Sequence, residues 1–135
     1  MSVTGFKVQI QNLTNLDISL VSSGPNNLAT FNPIDQTLNP EALSEDQYEE
    51  VDSGSNNVAG GFSVSFTFPN TDNDNVYSFF IMFMVDSDYN EHSGEVAIMN
   101  NDLPASGPRY IAYVTPSGSG EWTQGDIKII ELPSS

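Results

Sequence analysis

The chain has no cysteine. Disulfide staples, thiol catalysis and thiolate metal sites are therefore excluded, and its 135 residues must build a core by apolar packing alone. Basic residues are almost as scarce. Lys7, Arg109 and Lys128 stand against 18 acids, for a net charge of −15. A nucleic-acid binder needs clustered Lys and Arg against phosphate, so that class is set aside, and anionic membrane surfaces are disfavoured for the same reason. His92 is the only histidine. It sits in the polar stretch DSDYNEHSGE with no nucleophile or orienting partner evident around it, so it reads as a solvated loop residue rather than a catalytic or zinc-binding one. No set of acid, base and nucleophile is visible, and the chain is not read as an enzyme. The longest apolar run, VYSFFIMFMV at residues 76–85, is half the length of about 20 that a membrane-spanning helix needs. MSVTGFKVQI lacks the basic start and apolar stretch of a signal peptide. The expectation is a soluble chain, cytoplasmic or exported without a signal peptide.

What is present is a strand grammar. In GGFSVSFTF, residues 60–68, Phe62, Val64, Phe66 and Phe68 fall on one face of an extended chain, and Ser63, Ser65 and Thr67 on the other. FKVQI repeats the pattern with Phe6, Val8 and Ile10, and it resumes with Leu16, Ile18 and Leu20. These are two strands, or one bent strand with Asn12-Leu13-Thr14-Asn15 as its turn or bulge. SSGPNN reads as a turn, and residues 29–40, with two prolines, as loop with at most a short strand. VYSFFIMFMV is apolar at both phases and predicts a central strand covered on both sides. EVAIM, RYIAYVT and DIKIIEL complete the set, with PSGSGEWTQG as a loop before the last. In RYIAYVT, Ile111 and Tyr113 share one face, and Tyr110, Ala112 and Val114 the other.

Residues 39–52, NPEALSEDQYEEVD, are the one helix candidate, with Asn39 as cap and Pro40 at the first position. Repulsion among Glu45, Asp46, Glu49 and Glu50 makes an acidic loop the competing outcome. Short strands with turn signals every 8 to 12 residues predict one all-β domain over residues 1–135, an antiparallel β-sandwich with at most one short helix near residues 40–50. Its expected core includes Phe62, Val64, Phe66, Phe68, Phe80, Met82, Ile127 and Ile129.

Charged residues are 16% of the chain, against roughly 25% in an average protein. Asn (14) and Ser (17) supply the polar surface instead. Among the acids, Asp86, Asp88 and Asn90 have the 1, 3, 5 spacing that opens a calcium-binding EF-hand loop. The match then breaks, because Glu91 stands where glycine is required and Ala97 where a bidentate glutamate is required. Another loop geometry could recruit Glu91 or Glu95, with Asp72 and Asp74 from a neighbouring turn. The competing reading is ordinary hairpin-turn chemistry. Tyr89, Tyr110, Tyr113 and Trp122 are the aromatics outside the obvious core. Trp122, in a Gly/Ser stretch, either meets a ligand or packs over the end of the sandwich. Asn12-Leu13-Thr14 fits the N-glycosylation pattern but is expected to go unused without a secretory signal.

Three stretches carry a family likeness. YIAYVTPSGSGEWTQGDIKIIEL is similar to the ending of the aegerolysins, small acidic β-sandwich proteins: an aromatic-aliphatic strand, a Ser/Gly turn, then a G-x-I-x-I strand. SGSNNVAGGFSVSF resembles their Ser/Gly-rich loop leading into a strand, and VQIQNLTNLDISL their opening strand with a central asparagine. Where the family carries a Cys-Pro-Trp type motif after its long central strand, this chain reads VDSDYN. The family's aromatic candidates therefore reduce to Trp122, Tyr110 and Tyr113. The resemblance implies a non-enzymatic module that recognises a zwitterionic membrane lipid and delivers a pore-forming protein partner, a cytolysin. The alternative drawn from the acidic loops is a calcium-assisted module recognising a glycan or a protein, as adhesins and lectins do.

Overall fold

A computed structural model of the chain describes residues 5–50, 59–69, 76–85, 94–99, 109–117 and 122–132. These residues form nine strands: β1 (Gly5–Asn12), β2 (Ile18–Asn26), β3 (Asp35–Leu38), β4 (Gln47–Glu50), β5 (Ala59–Thr67), β6 (Tyr77–Val85), β7 (Gly94–Met99), β8 (Tyr110–Ser117) and β9 (Trp122–Glu131). They make a four-stranded sheet, β4-β1-β9-β8, packed on a five-stranded sheet, β3-β2-β5-β6-β7. The all-β sandwich expected from the alternation is what forms. All ladders are antiparallel except one: β1 and β9 run parallel, from Gly5 opposite Trp122 to Asn12 opposite Ile129.

The inward phases meet as the alternation requires. Phe6, Val8 and Ile10 from β1, Ile18 and Leu20 from β2, Phe62, Val64, Phe66 and Phe68 from and just after β5, and Ile127 and Ile129 from β9 are all buried. Aromatic pairs pin the sheets together at both ends. Phe6 stacks on Phe62 at 6.2 Å between ring centroids, and Tyr110 lies 4.1 Å from Phe68 and 5.6 Å from Tyr77.

β6 corrects one expectation. Its buried residues are Tyr77, Phe79 and Ile81, whereas Phe80 and Met82 lie half-buried on the outer face. Register is the cause: Phe66 faces Tyr77, Val64 faces Phe79 and Phe62 faces Ile81, so inward meets inward. On the outer face the Phe80 ring lies across Gly61, where any Cβ would come within 2.8 Å of it and collide with the Ile81 carbonyl oxygen. Glycine there lets the ring lie close on the backbone.

No helix occurs among the described residues, and the segment expected to carry one makes a turn and a strand. Pro40 and a left-handed Glu41 (φ 69°) take the two corners of a turn closed by Ala42 N donating to the Asn39 carbonyl at 3.0 Å, the pattern of a type II turn. Beyond it the chain runs along the open edge of β1. Ser44 N donates to Ile10 O at 2.8 Å and Ile10 N donates to Ser44 Oγ at 2.9 Å, before β4 pairs fully. A free β1 edge plus four repelling carboxylates favours the extended form. SSGPNN is likewise not a turn. β2 runs through it to Asn26 with a bulge between Ser23 and Asn26, built on Gly24 at φ 64°. Pro25 is tolerated there because a bulge leaves one residue unpaired.

β1 and β2 belong to different sheets, and Asn12 ties the crossing. Its Nδ2 donates to Leu16 O at 2.6 Å and Leu38 O at 3.1 Å, and its Oδ1 accepts from Thr14 N at 2.9 Å and Thr14 Oγ1 at 2.7 Å. Asn12 is fully buried. In the folded chain its amide is thus spent on structure and is closed to glycosylation.

Candidate functional site

Alternation sends Lys7, Gln9 and Gln11 of β1, Asp126, Lys128 and Ile130 of β9, and Ile111 and Tyr113 of β8 to the outer face of the four-stranded sheet. Tyr48 of β4 stands opposite Lys7 on the same face. Arg109 lies one residue ahead of β8. It continues that ladder, its carbonyl accepting from Leu132 N at 2.7 Å, and shares the phase of Ile111 and Tyr113. All three basic residues of the chain therefore belong to one face.

The register sets their spacing. Lys7 is level with Gln124, and Lys128 lies four residues further along β9. Lys128 is level with Tyr113, and Arg109 lies four residues further in the same direction. The bases thus step diagonally across the sheet, about 13 Å along the strands and one strand sideways at each step.

The two ends of this face differ in charge. At one end Lys7 Nζ is 3.2 Å from Asp46 Oδ2 and 5.5 Å from the Tyr48 ring centroid. Tyr48 Oη donates to Asp46 Oδ2 at 3.2 Å and Gln9 Nε2 to Asp46 Oδ1 at 3.0 Å. The Asp46 hydrogen bond raises the Lys7 ammonium above its ordinary pKa, against a smaller opposing effect of desolvation. Lys7 is thus paired with Asp46, and Asp126, level with Gln9, adds a second carboxylate to this end.

The other end carries two cations and apolar surface. Lys128 Nζ donates to the neutral Gln11 Oε1 at 2.9 Å, and among the described residues no carboxylate lies within ion-pair distance of Lys128 or Arg109. Leu13 N donates to Ile129 O at 2.9 Å, which brings Leu13 level with Ile130, itself opposite Ile111. Leu43 pairs with Gln11 through an isolated bridge. The result is an aliphatic row, Leu13, Ile130 and Ile111, beside Leu43, Tyr113, Lys128 and Arg109. Leu13 is 41% exposed and Leu43 53%. Apolar groups, an amphipathic ring and two cations side by side can hold a partner that presents both apolar surface and phosphate.

The sequence-predicted site residues fall as follows. Tyr113 is half-buried on this face. Tyr110 is 4% exposed inside the sandwich, where it packs in the core instead of offering its ring to a ligand. Burial raises its phenol above the ordinary value, and the charge of Glu131 adds to that. Trp122 is not in a loop: it opens β9 opposite Gly5. Tyr89, Asp86, Asp88, Asn90 and Glu91 lie outside the described residues, as does His92. Among the described residues no group of three or more His, Cys, Asp or Glu could hold a metal ion, and no helix is long and apolar enough to cross a membrane.

Lys7, Tyr48, Leu13, Leu43 and Lys128 were missed from sequence. Phase alone marks Lys7 and Lys128 as outward, each set between buried neighbours. What phase does not say is that β1 and β9, from opposite ends of the chain, are sheet neighbours. No protein-family model matches the chain, and none of the curated proteins compared with it matches either.

Proposed function

We propose that the protein is a non-enzymatic binding module that docks the outer face of its four-stranded sheet onto a zwitterionic phospholipid surface. The observation that carries this is the Leu13, Ile130 and Ile111 row set beside Lys128, Arg109 and Tyr113. Aliphatic side chains enter the boundary of headgroups and acyl chains, tyrosine sits at headgroup level, and the cations meet phosphate. The net charge of −15 selects among membranes. An anionic leaflet repels such a chain, whereas a zwitterionic one presents phosphate without a net surface potential. Recruitment of a pore-forming partner to that surface is the step implied by the likeness to aegerolysins, and it belongs to the same proposal.

Flotation with vesicles of phosphatidylcholine, alone or with sphingomyelin and cholesterol, tests it. The protein is expected to float with these vesicles and to stay behind with phosphatidylglycerol. Lys128→Glu/Ile130→Asp changes two outer-face side chains without touching the core and should weaken binding by roughly tenfold or more, since burial of one aliphatic side chain alone is worth about 1.5–3 kcal/mol. Failure to float with any of the zwitterionic vesicles, or equal binding by the double variant, would defeat the proposal.

A further inference from the structure

Residues 29–32 leave the five-stranded sheet and strap onto β4 of the other sheet. Ala29 N donates to Glu50 O at 2.8 Å, Glu50 N to Thr30 Oγ1 at 3.0 Å, and Asn32 Nδ2 to Tyr48 O at 3.2 Å. Gln47 Nε2 donates back to Asn32 O. Phe31 rides on this strap with its ring 5.4 Å from Phe62, and so closes the edge of the core. The innermost tie is Asn32 N donating to Glu49 Oε1 at 2.8 Å.

Glu49 is unusual. Its side chain is fully buried, and among the described residues its second oxygen, Oε2, has no hydrogen-bond partner. It faces Phe6 across the ladder, Gln47 on its own strand, and Thr30 and Asn32 on the strap. No charged group faces it from any described element: Lys7 and Asp46 lie on the opposite side of the sheet, and Glu50 is exposed. A buried carboxylate with one oxygen unpaired and no cation opposite is costly when ionised and far less so when protonated.

We propose that Glu49 is a proton-operated lock on this strap. Protonated, it lets residues 29–32 seal the sheet edge; ionised, it loosens them and gives access to Phe31 and Phe62. Burial raises the carboxyl above its ordinary value, against weaker opposing hydrogen bonds from Asn32, Gln47 and Thr30. The sign follows from proton counting. Between the ordinary and the raised value, the closed form holds a proton that the open form has released, so closure weakens as pH rises through that window. The chemical step is the uptake or release of one proton at the Glu49 carboxyl.

Hydrogen exchange at the Ala29, Asn32 and Glu50 amides, corrected for intrinsic rates, should show opening roughly tenfold more frequent at about pH 8 than at about pH 5. The Leu13 and Ser44 amides, bonded elsewhere, should not share that change. In Glu49→Gln, which cannot ionise, the strap amides should keep their low-pH protection at both values. That variant also separates the lock from general relief of repulsion in an acidic chain, which it leaves intact. Should the variant fold poorly, the carbon-13 titration of the wild-type Glu49 carboxyl decides, with a midpoint above the ordinary carboxylate value expected. Equal strap protection at both pH values, the same pH response in Glu49→Gln, or an ordinary midpoint would overturn the proposal.

Discussion

Asn12 carries more of the fold than any single apolar residue of its size could. One amide side chain holds the last residue of β1, the residues leading into β2 and the end of β3 in a common knot. In Asn12→Ala the Leu38 carbonyl and the Thr14 amide lose these bonds together, and the Leu16 carbonyl keeps only the longer one from Thr14 Oγ1 at 3.2 Å. Each unsatisfied group costs about 1–3 kcal/mol, so a loss of roughly 3 kcal/mol or more is expected in urea unfolding. A loss under about 1 kcal/mol would mean that water or neighbouring groups replace it. The knot was only partly legible. Asn12 stood in a segment read correctly as a turn or bulge, but a hydrogen-bond set reaching Leu38 is long-range, and local pattern says nothing of it. The same holds for Glu49, which looked like one more carboxylate on a solvated acidic stretch. Its burial follows from β4 pairing with β1, which puts Glu49 opposite Phe6.

Among the elements, β6 shows where the alternation rule runs out. Its residues are apolar at both phases, so apolarity alone does not choose the inward set. The usable signal is one residue, Ser78, which shares its phase with Phe80 and Met82 and marks their side as outward. Phe79→Ala should therefore cost about 3–5 kcal/mol, the range for emptying a core aromatic site, while Phe80→Ala should cost clearly less. Reversal of that order in thermal or urea melts would show the strand facing the other way. The 40–50 segment teaches a complementary point. Its capping residues suited a helix, but a sheet edge lacking a partner outweighed them, and Pro40 found its place in a turn instead. β5, by contrast, was readable from Phe62 onward, because Ser63, Ser65 and Thr67 separate its phases cleanly. For the outer face of the four-stranded sheet, sequence phase could mark Lys7 and Lys128 as outward but could not bring them onto one sheet.

For the whole molecule, charge and topology set the behaviour. At −15 the folded chain repels itself, and salt should raise its melting temperature by screening. Calcium and magnesium at matched ionic strength should then help to a similar degree. A rise specific to calcium, absent in Asp86→Asn/Asp88→Asn, would instead mark a true site at those residues, because magnesium demands a tighter octahedral shell. The topology has a mechanical consequence. β1 and β9 lie side by side and parallel, so a load drawn outward at Gly5 and at Glu131 pulls the two strands past each other along their length. Their cross-strand bonds, set across the direction of pull, then share the force at once instead of parting in turn like the teeth of a zip. A chain whose first and last described strands are clamped in shear resists stretching far better than the same strands would if paired as a hairpin and peeled open from one end.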